Sequence, residues 1–415
     1  MNSSNGLVIV GGGLAGARAA EGARQAGYDG PISIVAGEDA MPYIRPPLSK
    51  EFLLGNDDRA SIDVHPEAWY AEQRVEVLRG DRVTSFDAAA HTVTIGEGEV
   101  RTYDRLLLAT GASPRRFRGP GADLAGVHLL RRVDDSIALR EAIAPGGRRV
   151  VIIGAGWIGL EVAAAARGYG NDVTVLGLET VPLNVAIGDS AGAVFGDLHR
   201  QHGVTLRMST SVAGIVGAEG RVTGVEIEGG EEVPADIVVV GIGAIPETAL
   251  AEAAGLEVDN GVTTDAGFRT SADDVFAVGD VANVFHPVLR RPIRVEHWAN
   301  ADVAGKAAGR AMAGQTVEYD EVPYFYTDQY DLGMEYSGYG TLAEGIEPVF
   351  RGDRDAREFV AFWVNDARRV VAGMNVNVWD VNETVQRLIR DEVVVDPARL
   401  ADPSVPLEAF TGTSE

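Results

Sequence analysis

The fold class that this sequence predicts is α/β, with two doubly wound parallel-sheet domains of one design and a smaller α+β domain after them. Three observations carry the prediction. A glycine fingerprint occurs twice, as Gly11-Gly-Gly13-Leu14-Ala15-Gly16 and Gly154-Ala-Gly156-Trp157-Ile158-Gly159. Each copy is closed by a matching segment, Leu106-Leu-Leu-Ala109-Thr110-Gly111-Ala-Ser-Pro114 and Val238-Val-Val-Gly241-Ile242-Gly243-Ala-Ile-Pro246. After Pro323 the pattern changes to short alternating strands and a single helical stretch.

Each fingerprint follows an aliphatic strand, Leu7–Val10 or Val150–Ile153, and opens an Ala-rich helical stretch, Ala15–Ala26 or Ile158–Tyr169. In this strand-turn-helix layout the first Gly makes the tight turn, the second admits a pyrophosphate against the backbone, and the third packs helix on strand. Two such units most simply bind two different dinucleotides and pass electrons between them, which points to a flavin and a nicotinamide. After the first fingerprint the strand Ile32–Ala36 leads to Glu38, about 20 residues on, where a carboxylate accepts ribose hydroxyls. After the second, Asp172–Leu176 leads to Glu179, two places later than the pattern expects. No Lys or Arg stands between Gly177 and His199 to neutralise an extra ribose phosphate, so NADH is expected rather than NADPH.

The repeats set the organisation. A flavin unit is expected over 1–114 and 250–323, a nicotinamide unit over 115–249, and the α+β domain over 324–415. In the return to the first unit, Asp274–Ala282 reads as a short buried strand ending in Gly279-Asp280, and Glu296–Arg310 as a helix; taken by itself, Asp280 reads as an N-cap on the following helix. Strands such as Phe359–Trp363 and a helix over Asn382–Arg390 are expected beyond, with a poorly packed tail from Asp402.

At 415 residues the chain has room for these three domains. No apolar stretch spans a bilayer, and Met1 to Gly6 carries no secretory pattern, so the expected location is cytoplasmic. A net charge of -25 argues against nucleic acid or an anionic membrane as partner. It leaves room for an acidic protein where arginines gather, as at Arg115, Arg116 and Arg118, at Arg290, Arg291 and Arg294, and at Arg368 and Arg369. With no cysteine, electrons cannot leave through a redox-active disulfide. The seven histidines are scattered, only His199 and His202 sharing a helical face, and no metal site is expected.

The segment Tyr43-Ile-Arg45-Pro-Pro-Leu-Ser-Lys50 places two cations around two prolines that fix an extended approach. Such cations suit a flavin that becomes anionic on reduction; on spacing alone the segment reads equally as a rigid loop with exposed charges.

Taken together, Arg45–Lys50, Ala109-Thr110-Gly111, Gly154–Glu161, Val278–Ala282, Glu296-His297-Trp298 and Asp328-Gln-Tyr330 resemble the FAD-dependent NADH:ferredoxin reductases of bacterial oxygenase systems, the group of putidaredoxin reductase and the aromatic-ring dioxygenase reductases. The resemblance covers almost the whole chain and implies a glutathione-reductase-like flavoprotein, a monomer or weak homodimer, passing electrons from NADH through FAD to an acidic [2Fe-2S] ferredoxin. It implies that Lys50 lies near the hydride-accepting flavin nitrogen, Arg45 helps hold FAD, Asp280 bonds the ribityl chain, and the backbone at Glu296–Trp298 faces the pyrimidine oxygen. It implies that Glu161 positions the nicotinamide carboxamide and that Tyr326, with Tyr324, shields the flavin edge, where relatives often have tryptophan. Two other readings stay open: a reductase or oxidase of small acceptors on the same fold, and a scaffold switched by bound nucleotide.

Overall fold

The computed structural model describes residues 5–411. The expectations placed on residues 1–4 and 412–415 lie outside them. The chain divides into two compact units. The first comprises Met1–Arg45, Asp58–Ser113 and Ala244–Glu321, and the second Pro46–Asp57, Pro114–Gly243 and Val322–Glu415.

The first unit is built on a parallel five-stranded sheet, ordered Val275–Ala277, Arg105–Leu108, Leu7–Val10, Ile32–Ala36, Val75–Arg79. Its central strands are continuous aliphatic runs because both faces are covered. The helices Leu14–Gln25 and Trp298–Met312 pack through small residues: an added Cβ at Gly305 would lie 2.7 Å from the Ala15 carbonyl oxygen, and at Gly309 only 2.0 Å from that of Ala19. The two helices therefore run parallel.

The second unit repeats the plan in a parallel sheet ordered Thr205–Arg207, Asp172–Leu176, Arg149–Ile153, Ile237–Val240, Val127–His128. Beyond Pro323 comes an antiparallel sheet ordered Tyr324–Gln329, Leu332–Gly338, Val370–Val376, Glu358–Val364, Val349–Asp353, backed by the helix Asn382–Arg390. This sheet shares a core with the fingerprint helix Trp157–Gly168 and the helix Asn184–Gln201. Trp157 meets Phe195 and Phe325 edge-on, at centroid distances of 5.4 and 5.1 Å.

Three expectations are corrected. The stretch after Arg45 is not extended: Pro46–Ser49 forms a 3-10 turn followed by the short helix Glu51–Leu54, because proline's fixed φ suits a first helical turn. Asp280 does not stand at an N-cap position: it lies within the 3-10 turn Gly279–Val281, whose N-cap is Val278. The chain from Asp402 to Phe410 is pinned rather than loose. The Arg351 guanidinium donates to the carbonyls of Leu400, Asp402, Pro403 and Val405, and Leu407 is buried. Among the described residues no helix is long and apolar enough to cross a membrane.

His199, on the inner face of Asn184–Gln201, is fully buried, with Nε2 2.8 Å from Gln329 Oε1. Burial pushes its imidazole down to about 4. An unfolded histidine titrates near 6.5, so the unfolded chain binds the extra proton first as the solution is acidified. The stability held by the neutral ring is complete above about pH 6.5 and is lost as pH falls from there towards about 4, by on the order of 3 kcal/mol. Denaturant unfolding of wild type and His199→Gln at pH 7.5 and 5 checks this: the wild type should lose more stability, and equal losses would contradict it.

Candidate functional site

The two glycine cradles are superimposable in their chemistry. In the first, Gly11 has φ +126°, and a Cβ there would sit 2.1 Å from the Ala109 carbonyl oxygen; in the second, Gly154 has φ +113° and would meet the Gly241 oxygen at 2.2 Å. Only glycine fits both the backbone geometry and this approach of the closing segment. The third glycines, Gly16 and Gly159, would each meet the first glycine's oxygen at 2.2 Å. The middle glycines, Gly13 and Gly156, face open space, with nothing within 4 Å of an added Cβ. The helices beginning at Leu14 and Trp157 carry no acidic residue in their first turns, so the positive end of each dipole is uncompensated. Open backbone N–H groups at a helix N-terminus, beside the sheet's switch in strand order, fit a pyrophosphate in both cradles.

Each cradle has its acid, in different states. Glu38 is engaged: Tyr43 Oη donates to Oε2 at 2.5 Å and Arg45 Nη2 pairs with Oε1 at 3.2 Å. Glu179 turns back along its strand end, so that a Cβ at Gly177 would lie 3.0 Å from Oε2. That Oε2 is buried without a hydrogen-bond partner among the described residues, and an acceptor in that state fits a ribose hydroxyl. Arg207, which the neighbouring strand brings alongside Leu176, is committed to Glu231 through two bonds of 2.6 and 2.8 Å.

In the first unit Gly279 has φ +77°, and its Cβ would lie 3.0 Å from that of Ala15, which sets Asp280 beside the first cradle. Arg294 donates to the Asp280 carbonyl at 3.2 Å and pairs with Glu296. His297 holds the N-cap position of the helix starting at Trp298. Thr110 Oγ1 donates to the Glu247 carbonyl and the Glu247 amide to that of Gly111, both at 2.9 Å, which fixes the closing segment.

In the second unit the structure brings Lys50, Glu161 and Tyr326 together. Glu161 lies on the fingerprint helix at 4% exposure, and Lys50 Nζ pairs with its Oε1 at 2.8 Å. Ser49 Oγ donates to Oε2 at 2.5 Å, and Thr327 Oγ1 to Oε1 at 2.6 Å. The ammonium of Lys50 stands 5.7 Å from the centroid of the Tyr326 ring, and burial raises the Tyr326 phenol above its usual value. Burial likewise raises the Asp328 carboxyl, against the opposing pull of Lys50. Trp157 contributes its backbone to the cradle while its ring serves the core; Ile158 and Ile242 are partly exposed on either side, and Gly243 accepts from the Arg115 amide at 2.8 Å. Thr327, Gln329 and His199 were missed as site residues, since a Thr and a Gln within a strand give no signal of the face they take.

Residues 5–308 match the family model described as pyridine nucleotide-disulphide oxidoreductase, and residues 324–411 match the model described as reductase C-terminal. The ferredoxin--NAD(+) reductase component of the anthranilate 1,2-dioxygenase system of Burkholderia cepacia is 40% identical, covering 98% of this chain and 100% of its own length. Rhodocoxin reductase of Rhodococcus erythropolis is 36% identical, covering 97% of this chain and 93% of its own. Among solved structures, the covalent putidaredoxin reductase–putidaredoxin complex contains a chain that matches with a TM-score of 0.94 at 34% identity, over 99% of this chain and 98% of that one. The paired cradles, the family match over most of the length and the end-to-end relatives together place this chain in the pyridine nucleotide-disulphide oxidoreductase family, with a reductase C-terminal domain.

Proposed function

We propose that the chain is an NADH-dependent ferredoxin reductase that serves an oxygenase. The observation that carries the reading is the pair of matched cradles in a chain without cysteine: two dinucleotides are held and no thiol passes electrons on. The relatives named above support ferredoxin as the acceptor. FAD, when bound, supplies the conversion of a hydride taken from NADH into single electrons delivered one at a time.

The chain's own residues bind, orient and neutralise. Gly11–Gly16 and Asp280 hold FAD, with the helix N-terminus at His297-Trp298 supplying a positive dipole end towards a ring that gains negative charge. Gly154–Gly159 hold the NADH pyrophosphate and Glu179 its ribose. Lys50 is assigned to the reacting flavin nitrogen and Glu161 to the nicotinamide carboxamide. Their buried ion pair keeps both side chains in one geometry, so no reorganisation is needed when the rings stack. We assign the acceptor to the [2Fe-2S] class, drawn to exposed arginines such as Arg115, Arg116 and Arg118, and the location to the cytoplasm.

Rapid mixing with NADH or NADPH, followed by cytochrome reduction with a panel of [2Fe-2S] ferredoxins, tests the whole reading. NADH should bleach the flavin far faster and one ferredoxin should support turnover; a colourless protein, or rates indifferent to every ferredoxin, would overturn it. Glu179→Gln should weaken NADH binding by about ten- to a hundredfold, the worth of a hydrogen bond to a charged group, and narrow the preference over NADPH. Unchanged discrimination would remove Glu179 from the ribose site. Lys50→Met should slow flavin bleaching at least about tenfold, because Glu161 is then buried without its counter-charge; an unaltered bleaching trace would reject its role.

A further inference from the structure

The Lys50–Glu161 pair is the end of a longer polar chain inside the second unit. The oxygens of a carboxylate only accept, so the Thr327 hydroxyl, 2.6 Å from Glu161 Oε1, donates to it. The Thr327 oxygen then accepts from Gln329 Nε2 at 3.2 Å. That fixes the amide, whose Oε1 faces His199 Nε2 at 2.8 Å and receives its proton. His199 is thereby held as the Nε2–H tautomer, and its Nδ1 is a buried nitrogen without a hydrogen-bond partner among the described residues. Thr327, Gln329 and His199 are each at most 1% exposed. Every donated proton in the chain points towards Glu161.

The strand Tyr324–Gln329 explains how two of these groups meet one carboxylate. Alternation puts Phe325, Thr327 and Gln329 on one face and Tyr324, Tyr326 and Asp328 on the other. Phe325 packs on Trp157 of the fingerprint helix, which sets the register in which Thr327 reaches Glu161 on the same helix. Three buried polar side chains at positions that Val, Leu or Met could fill cost desolvation, and their directed bonds offset it only when all are made.

We propose that the His199–Gln329–Thr327 chain is a positioning device for hydride transfer, fixing the Glu161 carboxylate, and Lys50 with it, in the orientation that receives the nicotinamide. The proposal rests on the assignment of Glu161 made above. None of the three residues touches the reacting atoms; they act through the direction that they impose on Glu161, as second-layer partners orient a ligating side chain elsewhere.

Thr327→Val keeps nearly the same shape and removes the donor, and Thr327→Ser restores it. In the FAD-loaded protein, Thr327→Val should lower the limiting rate of flavin bleaching by NADH about ten- to a hundredfold and weaken the long-wavelength charge-transfer absorbance of the NADH-reduced protein with NAD+. The NAD+ dissociation constant by calorimetry should move less than about threefold, since the pyrophosphate and ribose contacts are untouched. Thr327→Ser should return both rate and absorbance to near wild type. If Thr327→Val does not fold, Gln329→Met breaks the same chain one link back and carries the same expectations at smaller size. A wild-type rate and absorbance in Thr327→Val, or a Thr327→Ser as slow as the valine variant, would overturn the proposal. Glu161→Gln separates the two layers: slow bleaching there with normal bleaching in Thr327→Val defeats the chain alone, whereas a normal rate in Glu161→Gln defeats the assignment of Glu161 and the chain together.

Discussion

One buried carboxylate, that of Glu161, ties together segments of the second unit that are far apart in the chain. An ionised acid at 4% exposure costs several kcal/mol in desolvation unless a counter-charge and further hydrogen bonds offset it. Glu161 gathers Lys50, Ser49 and Thr327 for that purpose, from segments more than a hundred residues away in either direction. The 3-10 turn Pro46–Ser49 lets consecutive residues serve both oxygens, Ser49 at Oε2 and Lys50 at Oε1. This is why residues 46–57 belong to the second unit while both flanks belong to the first. The second unit also satisfies the segment's backbone. Ser136 donates to the Leu48 carbonyl at 2.7 Å, Tyr169 to that of Leu53 at 3.0 Å and Arg140 to that of Phe52 at 3.2 Å.

A chain of net charge -25 that holds anionic dinucleotides has to do so locally. The cradles present backbone N–H groups and helix N-termini, whose fields act within a turn and are insensitive to distant carboxylates in water at physiological salt. Two nearby side-chain cations are already engaged: Arg45 pairs with Glu38 and Arg207 with Glu231. Lys50, the cation of the flavin-type loop, is neutralised by Glu161, so the site presents an oriented dipole rather than a net positive charge.

The parts of this architecture that repeat were legible in the sequence. Leu7–Val10, Ile32–Ala36 and Asp172–Leu176 are strands with the expected bounds, because fully buried parallel strands write themselves as aliphatic runs. Asn382–Arg390 is likewise the helix that its period announces. The failures are tertiary. Two adjacent prolines read as an extended approach, yet their fixed φ also suits the 3-10 turn from which Ser49 and Lys50 reach Glu161. The Pro- and Ser-containing tail reads as loose, yet a single guanidinium about 50 residues earlier collects its carbonyls. Thr327 and Gln329 gave no cue because period-two alternation names a face only once the neighbouring helix is in place.

The two acids that follow the strand ends show how one motif yields two differently held carboxylates. A carboxylate offers about four lone-pair positions, so Tyr43 and Arg45 occupy part of Glu38 and leave positions that fit a ribose diol. Those partners also fix its rotamer, so ligand binding costs Glu38 little conformational freedom. Among the described residues Glu179 has no such partner on its buried Oε2, and its backbone is held instead: the Ser209 amide donates to the Glu179 carbonyl and the Thr210 amide to that of Gly177, both at 2.8 Å. Glu179 stands three residues past its strand end where Glu38 stands two past its own, and the added residue fits this arrangement: the chain passes the strand end, is tied down by the neighbouring strand's exit, and then turns its acid back towards the cradle.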